Sequence, residues 1–361
     1  MPVVGRQRVV LMRALPGLGD FLCAVPAWRA IRRALPTAHI DLLSLPETRH
    51  LAQRFSRYFD GFIEFPGFPG IIERPARVTA LPAFLSKMHR RRYDLALQMH
   101  GDGSVSNIFT LLLGARRTLG FYLAADDFPD LGNFLPYPHH LHEVHRNIAL
   151  VRFLGVEAEH DAHDAHDAHD AYEFPLMAAD EEEYAQLAQE HGLSPGRYVC
   201  IHAGASHETR RWSPLSFARV ATMVRDKGLD IVLTGTREEA DINATVARHL
   251  GEPLIDLSGK TSLGALAVLL GHARLLLCND TGVSHLAAAV QTPSVIIFLV
   301  SDPVRWAPMD RSRHKPVGLG DGNPVSTGDV LAATWSLLAD NGPLDTATAS
   351  RTEYATDISI S

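Results

Sequence analysis

Leu275-Leu-Leu-Cys278-Asn279-Asp280-Thr281-Gly282-Val283-Ser284-His285-Leu286-Ala-Ala-Ala289 passes from an unbroken apolar run through a small polar turn into a helical period. A run without alternation suits a parallel strand covered on both faces, and its abrupt end in Asp-Thr-Gly suits a strand-to-helix turn. At such a turn the amides of Thr281 and Gly282 point outward at the positive end of the helix dipole, a geometry that fits a diphosphate. Asp280 either caps the helix or faces that ligand. Ser284 and His285 lie in the first helical turn, where they reach the same ligand or pack in the core.

Outward from this turn, the pattern repeats in both directions. Upstream come a helix over 179–191, a strand over 198–202, a helix over 214–227, a strand over 230–234, and helices over 238–250 and 262–271; a strand at 294–299 and a helix at 328–339 follow. The N-terminal part alternates in the same way, with strands at 9–12, 40–44, 62–65 and 94–99 and helices at 21–34, 48–58 and 76–92. Two consecutive βα series predict an α/β protein of two Rossmann-like, doubly wound domains facing a central cleft. The expected division is an N-terminal domain over 1–155, a linker over 156–178, a C-terminal domain over 179–340 and a disordered tail over 341–361.

Composition fits this plan. At 361 residues and 46% hydrophobic, the chain has material for two cores. Cys23, Cys200 and Cys278 each stand in an apolar stretch, which suits neither a disulfide framework nor a zinc site and points to a reducing compartment. No apolar run approaches the roughly 20 residues of a membrane-spanning helix, so a cytoplasmic protein is expected. Charge is uneven: residues 1–150 carry a net +6 and the remainder −13, with 12 acidic residues and no Lys or Arg between 153 and 196. Inside that acidic segment, residues 160–171 repeat His-Asp-Ala four times. The repeat reads as a solvated spacer; the competing reading is a metal-binding tract, which period three does not organise into a cage.

Two further turns carry candidate chemistry. In Arg13-Ala-Leu-Pro-Gly17-Leu-Gly19-Asp20, Gly17 and Gly19 permit a tight turn and close backbone approach without forming the dinucleotide-binding pattern, and Asp20 either caps the following helix or aims a carboxylate into the cleft. In His202-Ala-Gly204-Ala-Ser206, followed by Thr209-Arg210-Arg211-Trp212, backbone amides at Gly204 and Ser206 with a guanidinium suit a phosphate group. The Arg pair as plain surface is the alternative.

Taken in order, GLGDFLCAVPAWRAIR at 17–32, HAGASHETRRWSPLSFA at 202–218, LTGTREEADI at 233–242, LSGKTSLGALAVLL at 257–270 and CNDTGVSHLAAAVQTPSVIIFLVSDPVRWAP at 278–308 resemble the family-9 glycosyltransferases. The best-known members of that family are the ADP-heptose:lipopolysaccharide heptosyltransferases. The resemblance implies a GT-B fold and an inverting, metal-independent transfer from a nucleotide-diphosphate sugar, ADP-heptose being favoured, with no cofactor. By motif position, Asp20 resembles the general base and Arg210 the cation that neutralises the departing diphosphate. Gly204, Ser206, Asp280, Thr281, Gly282, Ser284 and His285 fall on the donor side. One of Glu238 and Glu239 resembles the acid that contacts the ribose, Glu239 being preferred, and 257–263 lines the nucleotide side. Gly17 and Arg210 depart from the Ser and Lys common at these positions, which bears on the sugar more than on the reaction.

The acceptor implied is an anionic glycolipid or glycan at the cytoplasmic face of the inner membrane, with no nucleic acid involved. Gly19 and the basic cluster Arg90, Arg91 and Arg92 are assigned to its side, as a peripheral, salt-releasable contact. A nucleotide-sugar epimerase of the same architecture and a non-catalytic nucleotide-sugar binder are the alternative functions. The Leu-Gly-Asp turn argues against the first, and the pairing of Asp20 with Arg210 against the second.

Overall fold

The computed structural model describes residues 6–123, 132–156 and 172–340. The His-Asp-Ala repeat, most of the expected linker and the C-terminal tail lie outside the described residues.

The first half runs β1 (Arg8–Met12), α1 (Leu18–Ala34), β2 (His39–Ser44), α2 (Arg49–Arg54), β3 (Gly61–Glu64), α3 (Leu81–Arg91), β4 (Leu95–Gln98), α4 (Ser106–Leu112), β5 (Arg117–Tyr122), β6 (Phe134–Pro136) and α5 (Glu143–Phe153). The second begins with α6 (Ala178–His191), β7 (Tyr198–His202), α7 (Pro214–Arg225), β8 (Asp230–Leu233), α8 (Ala240–Leu250), β9 (Ile255–Asp256) and α9 (Leu263–His272). It continues through β10 (Leu275–Asn279), α10 (Gly282–Ala289), β11 (Ser294–Ile297), α11 (Pro303–Trp306), β12 (His314–Val317) and α12 (Thr327–Asp340).

Among the described residues each half builds a parallel six-stranded sheet, ordered β3-β2-β1-β4-β5-β6 in the first and β12-β11-β10-β7-β8-β9 in the second. Numbered within its own half, the second order is the first read backwards, so both sheets share the doubly wound 3-2-1-4-5-6 topology. In each, the strand order reverses between the two central strands, β1 and β4 or β7 and β10, and ligands bind outside the carboxyl ends at such switch points. The turn carrying Asp20 leaves β1 there, and those carrying Gly204 and Asp280 leave β7 and β10.

Burial explains the strands. Val9 and Leu11 pack on one face of β1 and Val10 and Met12 on the other, and Cys200 and Ile201 divide in the same way on β7. Covered faces on both sides are why these strands read as continuous apolar runs. The three cysteines are buried and free, as their apolar settings predict. One apolar cluster spans the halves, joining Phe21, Trp28, Val144 and Ile148 to Val283, Leu286 and Ala287. Each large side chain there contributes about 1.5–3 kcal/mol by leaving water.

The halves meet most closely where α1 crosses α10. A methyl group added at Gly19 would come 2.7 Å from the His285 ring, and one added at Gly282 would come 2.8 Å from Leu18 Cβ. Glycine at both positions is what lets the two helix starts approach. Charged side chains close the same seam: Arg54 on α2 pairs with Asp180 on α6, and Glu173 takes Arg57 and Tyr58.

Two helices are shorter than expected by about five residues or more. α3 starts at Leu81, five residues later than predicted, because Pro82 has no N–H and is tolerated only in a first turn. The segment expected over 48–58 is helical only from Arg49 to Arg54. No helix among the described residues is long and apolar enough to cross a membrane.

Candidate active site

Asp20 occupies the first turn of α1, and among the described residues no N–H of that helix start donates to its carboxylate. Its carboxylate folds back over Gly17, where any Cβ would collide with Oδ2. The side chain remains 27% exposed, so a group entering the cleft can touch it. Capping is thus not its task.

Arg13, at the end of β1, fixes this turn from below. Its Nη2 and Nε donate to the Asp20 carbonyl at 2.8 and 3.1 Å, and Nη1 donates to the Met99 carbonyl at 2.6 Å and Asn147 Oδ1 at 3.1 Å. The guanidinium also stands 3.9 Å from Asp20 Oδ1 and 3.4 Å from Glu143 Oε1. Glu143 takes Arg146 at 3.2 Å and, from the other half of the molecule, Arg305 at 3.1 Å. Burial pushes the Asp20 carboxyl above the ordinary aspartate value; Arg13 opposes this, Glu143 adds to it, and Arg305 and Arg210 also oppose it. Burial also works against ionised Glu143, yet Arg13, Arg305 and Arg146 together hold it below the usual range. One carboxylate is therefore fully compensated and its neighbour is left basic.

On the facing sheet, Asn279 at the end of β10 laces the neighbouring loop into place. Its amide donates to the carbonyls of Ala203 and Gly204 at 2.8 and 3.3 Å, and its oxygen accepts the Trp212 N–H at 2.9 Å. Arg211 bonds the Ala205 carbonyl, a structural tie, while Arg210 stays 36% exposed with Nη1 3.8 Å from Asp280 Oδ2. Asp280 is buried and accepts the Ser301 hydroxyl; burial raises its pKa against Ser301 and Arg210. It does not cap α10, whose N-cap Thr281 makes no side-chain bond; Thr281 and Gly282 at that helix start are half-buried.

The remaining donor-side residues divide. Gly204 gives space to the Glu239 carboxylate, which would collide with any Cβ there. That carboxylate accepts the Thr236 N–H at 2.8 Å and lies 3.6 Å from His202 Nε2, whereas Glu238 points to solvent. Ser206 is exposed on the loop above. The 257–263 segment borders this pocket through Gly259, whose N–H bonds the Gly235 carbonyl at 2.8 Å. Ser284 and His285 require correction: the Ser284 hydroxyl donates to the Thr281 carbonyl within its own helix. His285 is buried beside Cys23, Tyr172 and Trp306, with its pKa depressed by burial to about 3. Both pack inward because α10 presents that face to α1.

The acceptor-side assignments also change. Gly19 packs against His285 and serves helix contact. Arg90, Arg91 and Arg92 end α3 at the amino ends of the strands, opposite Asp20, since the chain enters β4 just after them and Asp94 N–H bonds the Arg8 carbonyl. Arg91 is moreover committed at 2.7 Å to Asp41, a buried carboxylate that also accepts from Tyr93. The structure thus brings Asp20, Arg210, Asp280, Thr281 and Gly282 together and leaves the basic triplet outside. Glu143 was not singled out by the sequence, and Arg13, Asn279, Ser301 and Arg305 fell inside the motif segments without a role. Only Asn279 carried a signal, its place inside the Cys-Asn-Asp-Thr-Gly run.

Comparison with known proteins fits this geometry. The chain is 23% identical over 359 residues to lipopolysaccharide heptosyltransferase 3 of Escherichia coli (strain K12), covering 90% of this chain and 96% of that one. The crystal structure of a family 9 glycosyl transferase from Veillonella parvula superposes with a TM-score of 0.73 at 19% identity, covering 92% and 97% of the two chains. E. coli ADP-heptose LPS heptosyltransferase II gives 0.69 at 20% identity over 93% and 99%. Both are GT-B proteins in fold, as this chain is. The model of glycosyltransferase family 9 (heptosyltransferase) matches residues 82–319, well over half of the chain and including the loops of Arg210 and Asp280. By that match, the chain belongs to glycosyltransferase family 9 and is a glycosyltransferase.

Proposed function

We propose that the protein transfers a heptose, with inversion and without a metal ion, from ADP-heptose or a closely similar nucleotide-diphosphate sugar to a hydroxyl of an anionic cell-envelope glycolipid. The observation that carries this reading is the opposition across one cleft of a basic, partly exposed carboxylate, Asp20, and an exposed guanidinium, Arg210. In the proposed step Asp20 takes the acceptor hydroxyl proton as that oxygen attacks the anomeric carbon. The bond to the diphosphate breaks with its electron pair on the leaving oxygen. Arg210 and the amides at the start of α10 stabilise that charge, the part a divalent cation would otherwise play. Attack from the Asp20 side and departure toward Arg210 place nucleophile and leaving group on opposite faces of the sugar, which inverts the centre. Glu239, beside Gly204, is suited to the ribose hydroxyls. The similarity to heptosyltransferases, one of them solved with ADP-2-deoxy-2-fluoro heptose, supports this donor. The acceptor is placed at the cytoplasmic face of the inner membrane, with the exposed Arg90, Arg92 and Arg116 contributing to peripheral attachment.

The test is to supply ADP-, GDP-, UDP- and dTDP-sugars with a heptose-deficient glycolipid acceptor, in the presence and absence of EDTA, and to read the product anomer by NMR. Transfer from ADP-heptose with inverted configuration and full activity in EDTA is expected. Retained configuration, or activity that EDTA abolishes, overturns the mechanism; exclusive use of another donor overturns the substrate.

A further inference from the structure

Arg305 stands in the half of the molecule that carries Arg210 and Asp280, on the short helix α11 after β11. Its Nε and Nη2 nevertheless donate to Glu143 Oε2 at 3.2 and 3.1 Å, and Nη2 lies 3.4 Å from Tyr137 Oη, both partners belonging to the other half. Two residues on, the Ala307 carbonyl meets His142 Nε2 at 3.1 Å, so the same segment crosses the seam twice. Glu143 is only 8% exposed and its second oxygen is taken by Arg13, which in turn holds the Asp20 carbonyl. A continuous path of bonded charges therefore runs from the donor-side half through Arg305, Glu143 and Arg13 to the turn of Asp20. Two of the three guanidiniums on Glu143 belong to its own half and stay whatever the halves do. Arg305 is the one that separation of the halves would remove, and at 34% exposed it has a path to solvent.

We propose that Arg305 and Glu143 form a cross-cleft clasp and that Arg305 is a positioning residue for the transfer, holding the two halves in the register in which Asp20 faces Arg210. It touches neither substrate; its kinetic consequence rests on Asp20 being the base, whereas the clasp itself does not. The charges that act most strongly on Asp20 come from four elements: Arg13 from the end of β1, Glu143 from α5, Arg305 from α11 and Arg210 from the loop before α7. Loss of Arg305 removes a cation that favours the ionised form of Asp20, so the acid limb of kcat/KM moves to higher pH.

The experiment compares wild type, Arg305→Gln and Arg305→Lys by hydrogen exchange, by nucleotide-diphosphate binding and by transfer kinetics against pH. In Arg305→Gln, exchange at residues 302–307 and 142–146 is expected to accelerate about tenfold or more. ADP affinity should stay within about twofold and kcat should fall roughly tenfold. The acid limb should rise. Arg305→Lys, which keeps the charge but loses the two-pronged geometry, should recover a large part of kcat. Unchanged exchange in both segments overturns the clasp. Affinity and kcat falling together would make Arg305 a donor ligand instead, and an acid limb that does not move would reduce the pair to ordinary packing. Exchange is read without substrate, so a failure of the proposed transfer reaction leaves the clasp result standing or falling separately.

Discussion

The two turns that face each other across the cleft are built alike. One leaves β1 and carries Asp20, the other leaves β10 and carries Asp280; each follows a central strand of its sheet and opens a helix, α1 after Gly17 or α10 after Thr281. Burial raises the pKa of both aspartates. They differ in how they are held. Asp280 is 6% exposed, accepts the Ser301 hydroxyl and lies against Arg210, while Asp20 is 27% exposed and is steadied through its own carbonyl by Arg13, which leaves its carboxylate oxygens open to the cleft. The same strand-turn-helix device therefore yields a free carboxylate on one side and a tied one on the other. A base must meet its substrate, and a residue that orients a cation must not.

The largest effect that would break this contrast is at Asp20. Asp20→Asn keeps the size and removes the base, so turnover should fall roughly 10²–10⁴-fold with donor affinity nearly constant. Stability should not fall with it. A carboxyl whose pKa is raised in the folded state contributes stability below its unfolded pKa, and that contribution is lost as pH rises through the folded value. At neutral pH the charge is then a cost, and Asp20→Asn should melt at the wild-type temperature or above. Near-normal turnover would show that the two turns do not divide the work in this way.

Next is Arg210. Arg210→Ala should lower turnover by about 10²–10³-fold and weaken nucleotide-diphosphate binding, because the leaving charge loses its main cation. Arg210→Lys should keep substantial activity as a point charge. Because Arg210 favours ionised Asp20, its removal should also shift the acid limb of kcat/KM upward, a link between the two turns that a pH series can read. Equal donor affinity in wild type and Arg210→Ala would remove Arg210 from the site.

Asp280→Asn sharpens the comparison at a smaller amplitude. The amide still accepts the Ser301 hydroxyl but no longer attracts Arg210, so kcat should fall about tenfold while ADP binds as well as before or more tightly, a negative charge beside the diphosphate having gone. The acid limb should move less than in Arg210→Ala, since Arg210, whose charge acts directly on Asp20, stays in the protein. A loss as large as that of Asp20→Asn would put the base on the other turn.

Much of this contrast was legible before the fold was seen. The strands of both switch points are continuous apolar runs because both faces are covered, and their turns end in Gly and Asp, so Asp20, Arg210 and Asp280 stood out. The edges were harder. β6 ends in Pro136 and β12 contains Pro316, and both are short outer strands of their sheets, where proline is tolerated and periodicity is too brief to register. α5 begins in a stretch crowded with histidine, and its buried face mixes Val144, Ile148 and Val151 with Glu143, Arg146 and Asn147, which concealed Glu143. Arg305 and Glu143 stand 162 residues apart in the chain, and no spacing rule within a single sequence couples them. The basic triplet misled for the opposite reason: proximity in sequence suggested a shared task, but a helix end divides its members between a buried ion pair and solvent.

That triplet gives the smallest expected effect on the chemistry and tests how far the N-terminal half's charge serves the site at all. Arg91 must be left in place, because removing it strands the buried Asp41 carboxylate and would confuse charge loss with unfolding. Arg90→Gln with Arg92→Gln changes only exposed positions at the amino ends of the strands, the end of the sheet away from Asp20. With a detergent-free, delipidated acceptor, kcat and both Michaelis constants should therefore stay within about twofold of wild type. Binding to anionic vesicles is a separate matter. Each cation near such a surface is worth about 1 kcal/mol, so the pair should weaken partitioning by up to roughly 30-fold at low ionic strength and much less at 0.5 M salt, where the screening length is only a few ångströms. A changed acceptor constant with the delipidated substrate would return these arginines to the acceptor site. Unchanged vesicle binding would instead make them ordinary surface, and the search for a membrane-facing region would move to another part of the N-terminal half.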